Sequence, residues 1–148
     1  MNRFFVVIAG VFCLFCTLSF SVAASETQCD LYFSNNVVLR AVPLANDEAS
    51  RIRGLSHRTD VGNGMLFSWE NAAPRTFWMH DTPVALTIGF FDINQKLFLL
   101  QDMKPNSDEF HFSVQPALYA LELKLGDFQK YHLTTGVELT TVKCKNQK

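Results

Sequence analysis

After residue 24, turn-forming residues divide the sequence into short apolar runs, and this spacing limits the folds open to the chain. The clearest run alternates apolar and polar side chains: Tyr119, Leu121, Leu123 and Leu125 alternate with Glu122 and Lys124. An alternation with a period of two is typical of a strand with one face buried and one face in water. The pattern therefore predicts a half-buried strand and places Glu122 on the solvent face.

Six other segments are rich in β-branched and aromatic residues, which is the composition of short strands. They are residues 37–42, 65–69, 76–80, 86–92, 96–102 and 136–142. Three residues, 93–95, separate two of these segments. Because this is the length of a hairpin loop, we expect the two segments to form an antiparallel pair.

Two short helices complete the predicted fold. Asn46 can cap a helix over residues 47–53, which Gly54 ends, and residues 126–132 can form a helical turn. No repeat, low-complexity stretch or linker divides residues 25–148, so they are predicted to form one domain. The expected fold class is mostly β (α+β): a small barrel-like or strongly curved antiparallel sheet with one or two short helices.

The N-terminus has the organisation of a cleavable secretory signal peptide. Arg3 is followed by an apolar run of 17 residues from Phe4 to Phe20 and then by small residues. The run is shorter than the roughly 20 residues of a membrane span, so a permanent anchor is disfavoured. We expect cleavage after Ala24, with Ala23 as the alternative position, no stable membrane anchor afterwards, and a mature protein that is periplasmic or secreted.

The charge of the mature chain is nearly balanced. Loss of residues 1–24 removes one cation, Arg3, and leaves 12 lysines and arginines against 14 acidic residues. No polybasic run occurs in the remaining sequence. Since nucleic acids and anionic membranes are bound through clustered cations, neither is expected as a partner. A small-molecule ligand or another protein of the cell envelope is expected instead.

Two cysteines remain after the predicted cleavage, Cys29 and Cys144, near opposite ends of the mature chain. A disulfide between them is the natural hypothesis in an oxidising compartment, and two unpaired thiols are the alternative. A closed loop of this length contributes roughly 4–5 kcal/mol in the chain-entropy model. Two distant cysteines without a neighbouring ligand pair do not predict a metal site, and no cofactor is expected.

Five short motifs occur in an order and at spacings that together are specific. They are residues 49–55 (Ala-x-Arg-x-Arg-Gly-Leu), 64–67 (Gly-Met-Leu-Phe), 77–82 (Phe-Trp-Met-His-Asp-Thr), 90–92 (Phe-Phe-Asp) and 116–122 (Pro-Ala-x-Tyr-Ala-Leu-Glu). Over residues 37–142 the chain resembles the bacterial and archaeal family called domain of unknown function 192. The resemblance implies a β-rich, barrel-like and usually exported domain without a settled biochemical activity.

The most distinctive segment lies at residues 77–81. Strand periodicity would place Trp78 and His80 on one face and Asp81 on the other, so His80 and Asp81 are not expected to pair. In one interpretation the large apolar side chains of the segment fill the interior of the domain. In the other, Trp78 is the aromatic wall of a pocket whose polar edges are His80, Asp81 and Glu122.

Arg53 is the candidate anion-binding group of that pocket. Its position before the glycine that ends the predicted helix gives it a second possible role, in binding the last carbonyl groups of the helix. If Glu122 were buried, it could pair with Arg53 either as a structural ion pair or as an acid of perturbed pKa. The candidate pocket residues are therefore Arg53, Trp78, His80, Asp81 and Glu122.

The sequence favours a non-enzymatic module of the cell envelope that binds a small ligand or a protein. An envelope enzyme of the hydrolase type, using the Trp, His, Asp and Glu candidates, is one alternative, although no nucleophile and base form a recognisable pair and catalytic residues are not assigned. Binding of copper or zinc through scattered histidines and methionines is another. No segment places several such ligands on one face.

Overall fold

The computed structural model describes residues 26–145, and the predicted signal peptide at residues 1–24 lies outside this range. Nine strands and two short helices form the described part of the chain. In chain order they are β1 (Gln28–Phe33), β2 (Val38–Ala45), α1 (Glu48–Arg53), β3 (Met65–Ala73), β4 (Thr76–Phe77), β5 (Leu86–Phe91), β6 (Leu97–Met103), β7 (His111–Phe112), β8 (Ala117–Lys124), α2 (Asp127–Lys130) and β9 (Leu139–Lys145). The predicted fold class, mostly β with two short helices, is confirmed.

Seven of the strands form one sheet in the order β6-β5-β8-β3-β2-β1-β9. All neighbours are antiparallel except β2 and β3, which are parallel and are connected through α1. The predicted hairpin is confirmed, because β5 and β6 pair antiparallel across the loop at residues 92–96. The remaining two strands, β4 and β7, form a separate two-stranded ribbon.

The two edges of the large sheet approach each other at one end. The amide of Leu97 at the start of β6 donates to the carbonyl of Val137 at 2.9 Å, and the carbonyl of Leu97 accepts from the amide of Gly136 at 2.7 Å. The amide of Leu139 in β9 donates to the carbonyl of Gln95 at 2.9 Å. The sheet is therefore strongly curved, with its edges joined at one end rather than closed along their length.

Helix α1 begins one residue later than predicted. Asp47, not Asn46, is the N-cap: its carboxylate accepts from the amide of Ser50 at 2.8 Å, and the Ser50 hydroxyl accepts from the amide of Asp47 at 3.2 Å. In a capping box, each of two side chains bonds to the backbone amide of the other residue, which requires that the two residues be three positions apart. Asp47 and Ser50 have that spacing. The prediction that Gly54 ends the helix is confirmed, and this glycine has φ +46°.

Strand β8 lies in the middle of the sheet and is buried on both faces. Leu121 and Leu123 belong to one apolar cluster, whereas Ala117 and Ala120 belong to a second cluster on the opposite face. The prediction that one face meets solvent was therefore wrong, and Glu122 is 4 % exposed. The physical reason is that the loop after α1 and the segment after β4 cover the second face of the sheet. Among the residues that cover it are Leu55, Val61 and Met79.

Other differences from prediction lie where strands are short or end early. Leu125 follows the end of β8 and is half exposed rather than buried. Strands β1 and β7 were not predicted, and the last strand begins at Leu139 rather than at residue 136. The predicted strand over residues 76–80 keeps only its first two residues in β4, because the chain turns away after Phe77.

The predicted disulfide is present in the structure. Cys29 in β1 lies opposite Cys144 in β9, and their sulfur atoms are 2.04 Å apart. The bond therefore joins the first strand to the last strand across 115 residues of sequence. Within residues 26–145, no helix has the length and apolar character that crossing a bilayer requires.

Candidate functional site

A cavity of about 490 Å³ lies between α1 and the covered face of the sheet. Its lining comes from α1 and the loop after it, from β3, from residues 74–78 and from β8. Cavities of roughly 300–1,000 Å³ are the usual size of small-molecule sites. Apolar and charged side chains both reach this one, so we take it as the candidate site.

Glu122 is the buried acid of the cavity. Its cross-strand neighbours are Met65 in β3 and Ile88 in β5, and both side chains are fully buried and apolar. Within residues 26–145, no side chain or amide group hydrogen-bonds to the Glu122 carboxyl group or forms an ion pair with it. Glu122 lines the cavity, and its carboxyl group has no partner among the residues that the structure describes.

The position of Glu122 changes its acidity. Desolvation by the surrounding apolar side chains raises its pKa to about 8, because burial penalises the charged carboxylate. At neutral pH most molecules therefore have an uncharged Glu122, which can donate as well as accept a hydrogen bond. The ion pair with Arg53 that burial of Glu122 would have allowed is absent, and within residues 26–145 no cationic side chain lies near enough to lower this pKa.

Two arginines are fixed at the cavity by Trp69 of β3. The guanidinium carbon of Arg75 lies 4.1 Å from the centre of the indole ring, and that of Arg51 lies 5.5 Å from it. Arg51 also donates to the carbonyl of Ser68 at 2.9 Å, and Arg75 donates to the carbonyl of Ala117 at 3.3 Å. Partial burial and the nearby charge of Arg51 lower the pKa of Arg75. Both cations are therefore held in defined positions.

Arg53 also lines the cavity, but its side chain is exposed. Within residues 26–145 its guanidinium group makes no hydrogen bond or ion pair. The role that the sequence suggested for it, binding carbonyl groups at the end of α1, is therefore not seen. Its donors are available to an anion in the cavity.

The segment at residues 77–81 divides between the interior and the surface. Phe77 packs inward, with ring centres 5.0 Å from Phe67 and 5.7 Å from Phe90. Trp78 points outward and is 50 % exposed at the edge of the cavity, where it stacks on Phe110. The interior interpretation holds for Phe77, whereas Trp78 belongs to the rim of the cavity.

His80 and Asp81 lie outside the cavity lining. The prediction that they do not pair was wrong, because His80 Nε2 is 3.4 Å from an Asp81 carboxylate oxygen. Asp81 has φ +53°, so the chain turns here and strand periodicity no longer separates the two side chains. His80 Nδ1 is also 2.9 Å from Asp108. That hydrogen bond, followed by the charge of Asp81, raises the pKa of the exposed His80.

Of the five predicted pocket residues, the cavity brings together three: Arg53, Trp78 and Glu122. Sequence reasoning missed Arg51, Trp69 and Arg75. Alternation along β3 could have placed Trp69 on the same face as Phe67, but nothing in the spacing connects Arg75 to a residue in α1. Within the described residues, no group of three His, Cys, Asp or Glu side chains could hold a metal ion.

Comparison with solved structures shows the same fold in two bacterial proteins. A protein of unknown function from Novosphingobium aromaticivorans is 23 % identical with a TM-score of 0.68, over 84 % of this chain and 89 % of that one. A protein of Sinorhizobium meliloti, described as a candidate transcription regulator, is 23 % identical with a TM-score of 0.68, over 83 % of this chain and 95 % of that one. At this identity the likeness shows the fold alone.

No curated protein matches the sequence at a significant level. Residues 33–141 match the family described as DUF192, uncharacterized ACR, which agrees with the resemblance seen in the motifs. The match covers most of the chain, including α1, the cavity and β8. The chain belongs to the DUF192 family.

Proposed function

We propose that the mature chain is a small-molecule-binding domain of the cell envelope and that the cavity beside Glu122 is its binding site. The observation that supports this most strongly is Glu122, a glutamate that is 4 % exposed, lines a cavity and has no side-chain partner among the described residues. Buried polar groups in proteins are almost always hydrogen-bonded, since an unpaired one costs roughly 1–3 kcal/mol. A bound ligand can supply the missing partner.

The walls of the cavity support the same function. Trp78 offers an exposed aromatic surface at the rim, and Arg53 has free donors. Sites for small molecules combine apolar walls with a few polar groups that fix the orientation of the ligand. Arg51 and Arg75 are already positioned by Trp69, so a ligand would not have to order them.

Location in the envelope is supported by two features of the chain. The N-terminal sequence has the pattern of a secretory signal, and the Cys29–Cys144 disulfide is typical of proteins that fold outside the cytosol.

The test is mass spectrometry of the mature protein purified from its host envelope without denaturation, with native and denatured masses compared. We expect a small molecule in the native spectrum that is absent from Glu122→Gln. Glu109→Gln is the matched control, because Glu109 is an exposed acid outside the cavity lining, and it should retain the ligand. A wild-type protein without any bound molecule, which also fails to take one up from an envelope extract, would contradict the proposal.

One observation favours a second candidate function, that of a hydrolase. An acid with a pKa of about 8 inside a cavity is protonated at neutral pH and could act as a general acid. Hydrolysis of nitrophenyl esters, phosphates or glycosides by the wild type, lost in Glu122→Gln, would establish this function. Retention of an intact ligand over hours would favour binding.

A further inference from the structure

The charged groups of the cavity fall into two sets of opposite character. Arg51, Arg53 and Arg75 come from α1 and from the turn after β3, whereas Glu122 comes from the central strand β8. Arg51 is close enough to Arg75 to lower its pKa, so these two cations share one region. Glu122 is flanked by apolar side chains instead. The cavity thus has a cationic region, to which α1 also contributes the exposed Glu48, and apart from it one buried carboxyl group, that of Glu122.

We infer that the ligand is a small zwitterion: its cationic amino or guanidino group binds to Glu122, and its carboxylate or other anionic group binds to the arginines. This inference rests on the proposed function, because it names the chemistry of the molecule that the same cavity binds. Phe67 and Phe77 line the cavity as well and would contact the apolar part of such a ligand.

The charges disfavour the two simpler ligand classes. A cation without an anionic group would be repelled by three guanidinium groups, against one surface acid, Glu48, in the cavity lining. An anion whose other groups are apolar would satisfy the arginines but would leave Glu122 without a partner. An anion with a neutral polar group would bind the uncharged carboxyl group, but its affinity would not rise with pH. A zwitterion satisfies both regions, with charge-assisted hydrogen bonds at each end.

Binding of a cation to Glu122 requires the ionised carboxylate, so the affinity should depend on pH. The side chains that face Glu122 from β3 and β5 are Met65 and Ile88, which do not titrate. The other charged groups in the lining are Glu48, Arg51, Arg53 and Arg75. With a pKa of about 8, roughly a tenth of the molecules have an ionised Glu122 at pH 7 and roughly nine tenths at pH 9.

The experiment is isothermal titration of the mature protein, freed of any endogenous ligand, with 4-guanidinobutyrate at pH 7 and pH 9. A guanidinium group stays charged at both values, so the ligand itself does not titrate. Butyrate and propylguanidinium are the matched probes that lack one charged end each. We expect the zwitterion to bind at least tenfold more tightly than either probe, and its Kd to fall about tenfold from pH 7 to pH 9.

Two variants test which residue binds each charged end of the ligand. Glu122→Gln preserves the shape and polarity of the side chain, and it should abolish both the rise in affinity with pH and the advantage over butyrate. Arg53→Gln removes an exposed cation without known structural contacts, and it should weaken zwitterion and butyrate equally while leaving the pH dependence intact. If either variant misfolds, the pH dependence of the wild type still decides the matter.

Failure of this inference and failure of the proposed function give different results. Equal binding of butyrate and 4-guanidinobutyrate, or affinity that falls as the pH rises, would overturn the zwitterion and keep the small-molecule site. So would an endogenous ligand whose mass and fragmentation show no cationic group. If no probe binds and no endogenous ligand is found, both are overturned.

Discussion

Gly64 lies directly against the backbone of Glu122. A Cβ atom at Gly64 would be 1.9 Å from the Glu122 carbonyl oxygen, and Gly64 has φ +80°. Both the space and the backbone conformation therefore require glycine. The glycine at the start of the Gly-Met-Leu-Phe motif thus allows the chain entering β3 to approach the strand that contains the buried acid.

Gly64→Ala should lower the free energy of unfolding by about 3 kcal/mol or more, because the added methyl group meets backbone rather than a flexible side chain. Gly62→Ala is the matched control. Gly62 also has a positive φ, +50°, but a Cβ there would meet nothing within 4 Å. It should cost only about 1 kcal/mol. Urea unfolding measures both, and equal losses would show that the contact with Glu122 is unimportant.

The stability of the protein should fall as the pH rises through the neutral range. The pKa of Glu122 is about 8 in the folded state, whereas that of an unperturbed glutamate, as in the unfolded chain, is 4.5. The folded state therefore holds a proton that the unfolded state has lost, so the stabilisation present below pH 4.5 disappears progressively up to pH 8. Glu122→Gln should lack this contribution and keep only that of His80, whose raised pKa also makes the stability fall as the pH rises. The wild type should therefore lose up to about 5 kcal/mol relative to the variant across this range.

Chemical unfolding at pH 5, 7 and 8.5 measures this difference. Glu109→Gln, which removes an exposed acid, should follow the wild type at every pH. Parallel curves for wild type and Glu122→Gln would show that Glu122 is solvated and ionised in the folded protein.

Replacement of both cysteines by alanine should destabilise the protein by about 4 kcal/mol, because the Cys29–Cys144 bond closes a loop over 115 residues of sequence. Thiol titration after denaturation supplies the direct check on the bond. The wild type should contain no free thiol, whereas two thiols per mature chain would contradict the pairing.

Neighbouring aromatic residues should differ in their effect on stability. Phe77→Ala removes a ring that packs on Phe67, Phe90 and Trp69, and it should cost about 3 kcal/mol. Trp78→Ala removes a half-exposed ring that stacks on His80 and Phe110, and it should cost about 1 kcal/mol. A larger loss for Trp78 than for Phe77 would place the indole, not the phenyl ring, in the core.

Much of the fold could be predicted because its determinants are local. The hairpin of β5 and β6 follows from two apolar runs and a short loop, and Gly54 marks the end of α1. The disulfide followed from two cysteines in a chain whose N-terminus predicts export. The motifs identified the family because they include positions such as Gly64, where only one residue type fits.

The candidate site was harder to predict because it depends on whether other segments pack over the face of the sheet that carries Glu122. Glu122 alternates with leucines as a solvent-facing residue would, and only the tertiary placement of the loop after α1 and of the segment after β4 buries it. Arg75 comes to the cavity through Trp69, a contact between residues with no periodic relation in the sequence. His80 and Asp81 were misassigned because the chain leaves the strand conformation after Phe77.

The most direct test of the central claim is a crystal structure of the protein purified from its source cells without denaturation or dialysis. The account predicts density for a small molecule in the cavity, with a polar atom within about 3.2 Å of a Glu122 carboxyl oxygen. A cavity filled by ordered water alone in the native preparation, or a ligand bound elsewhere with Glu122 left untouched, would contradict it.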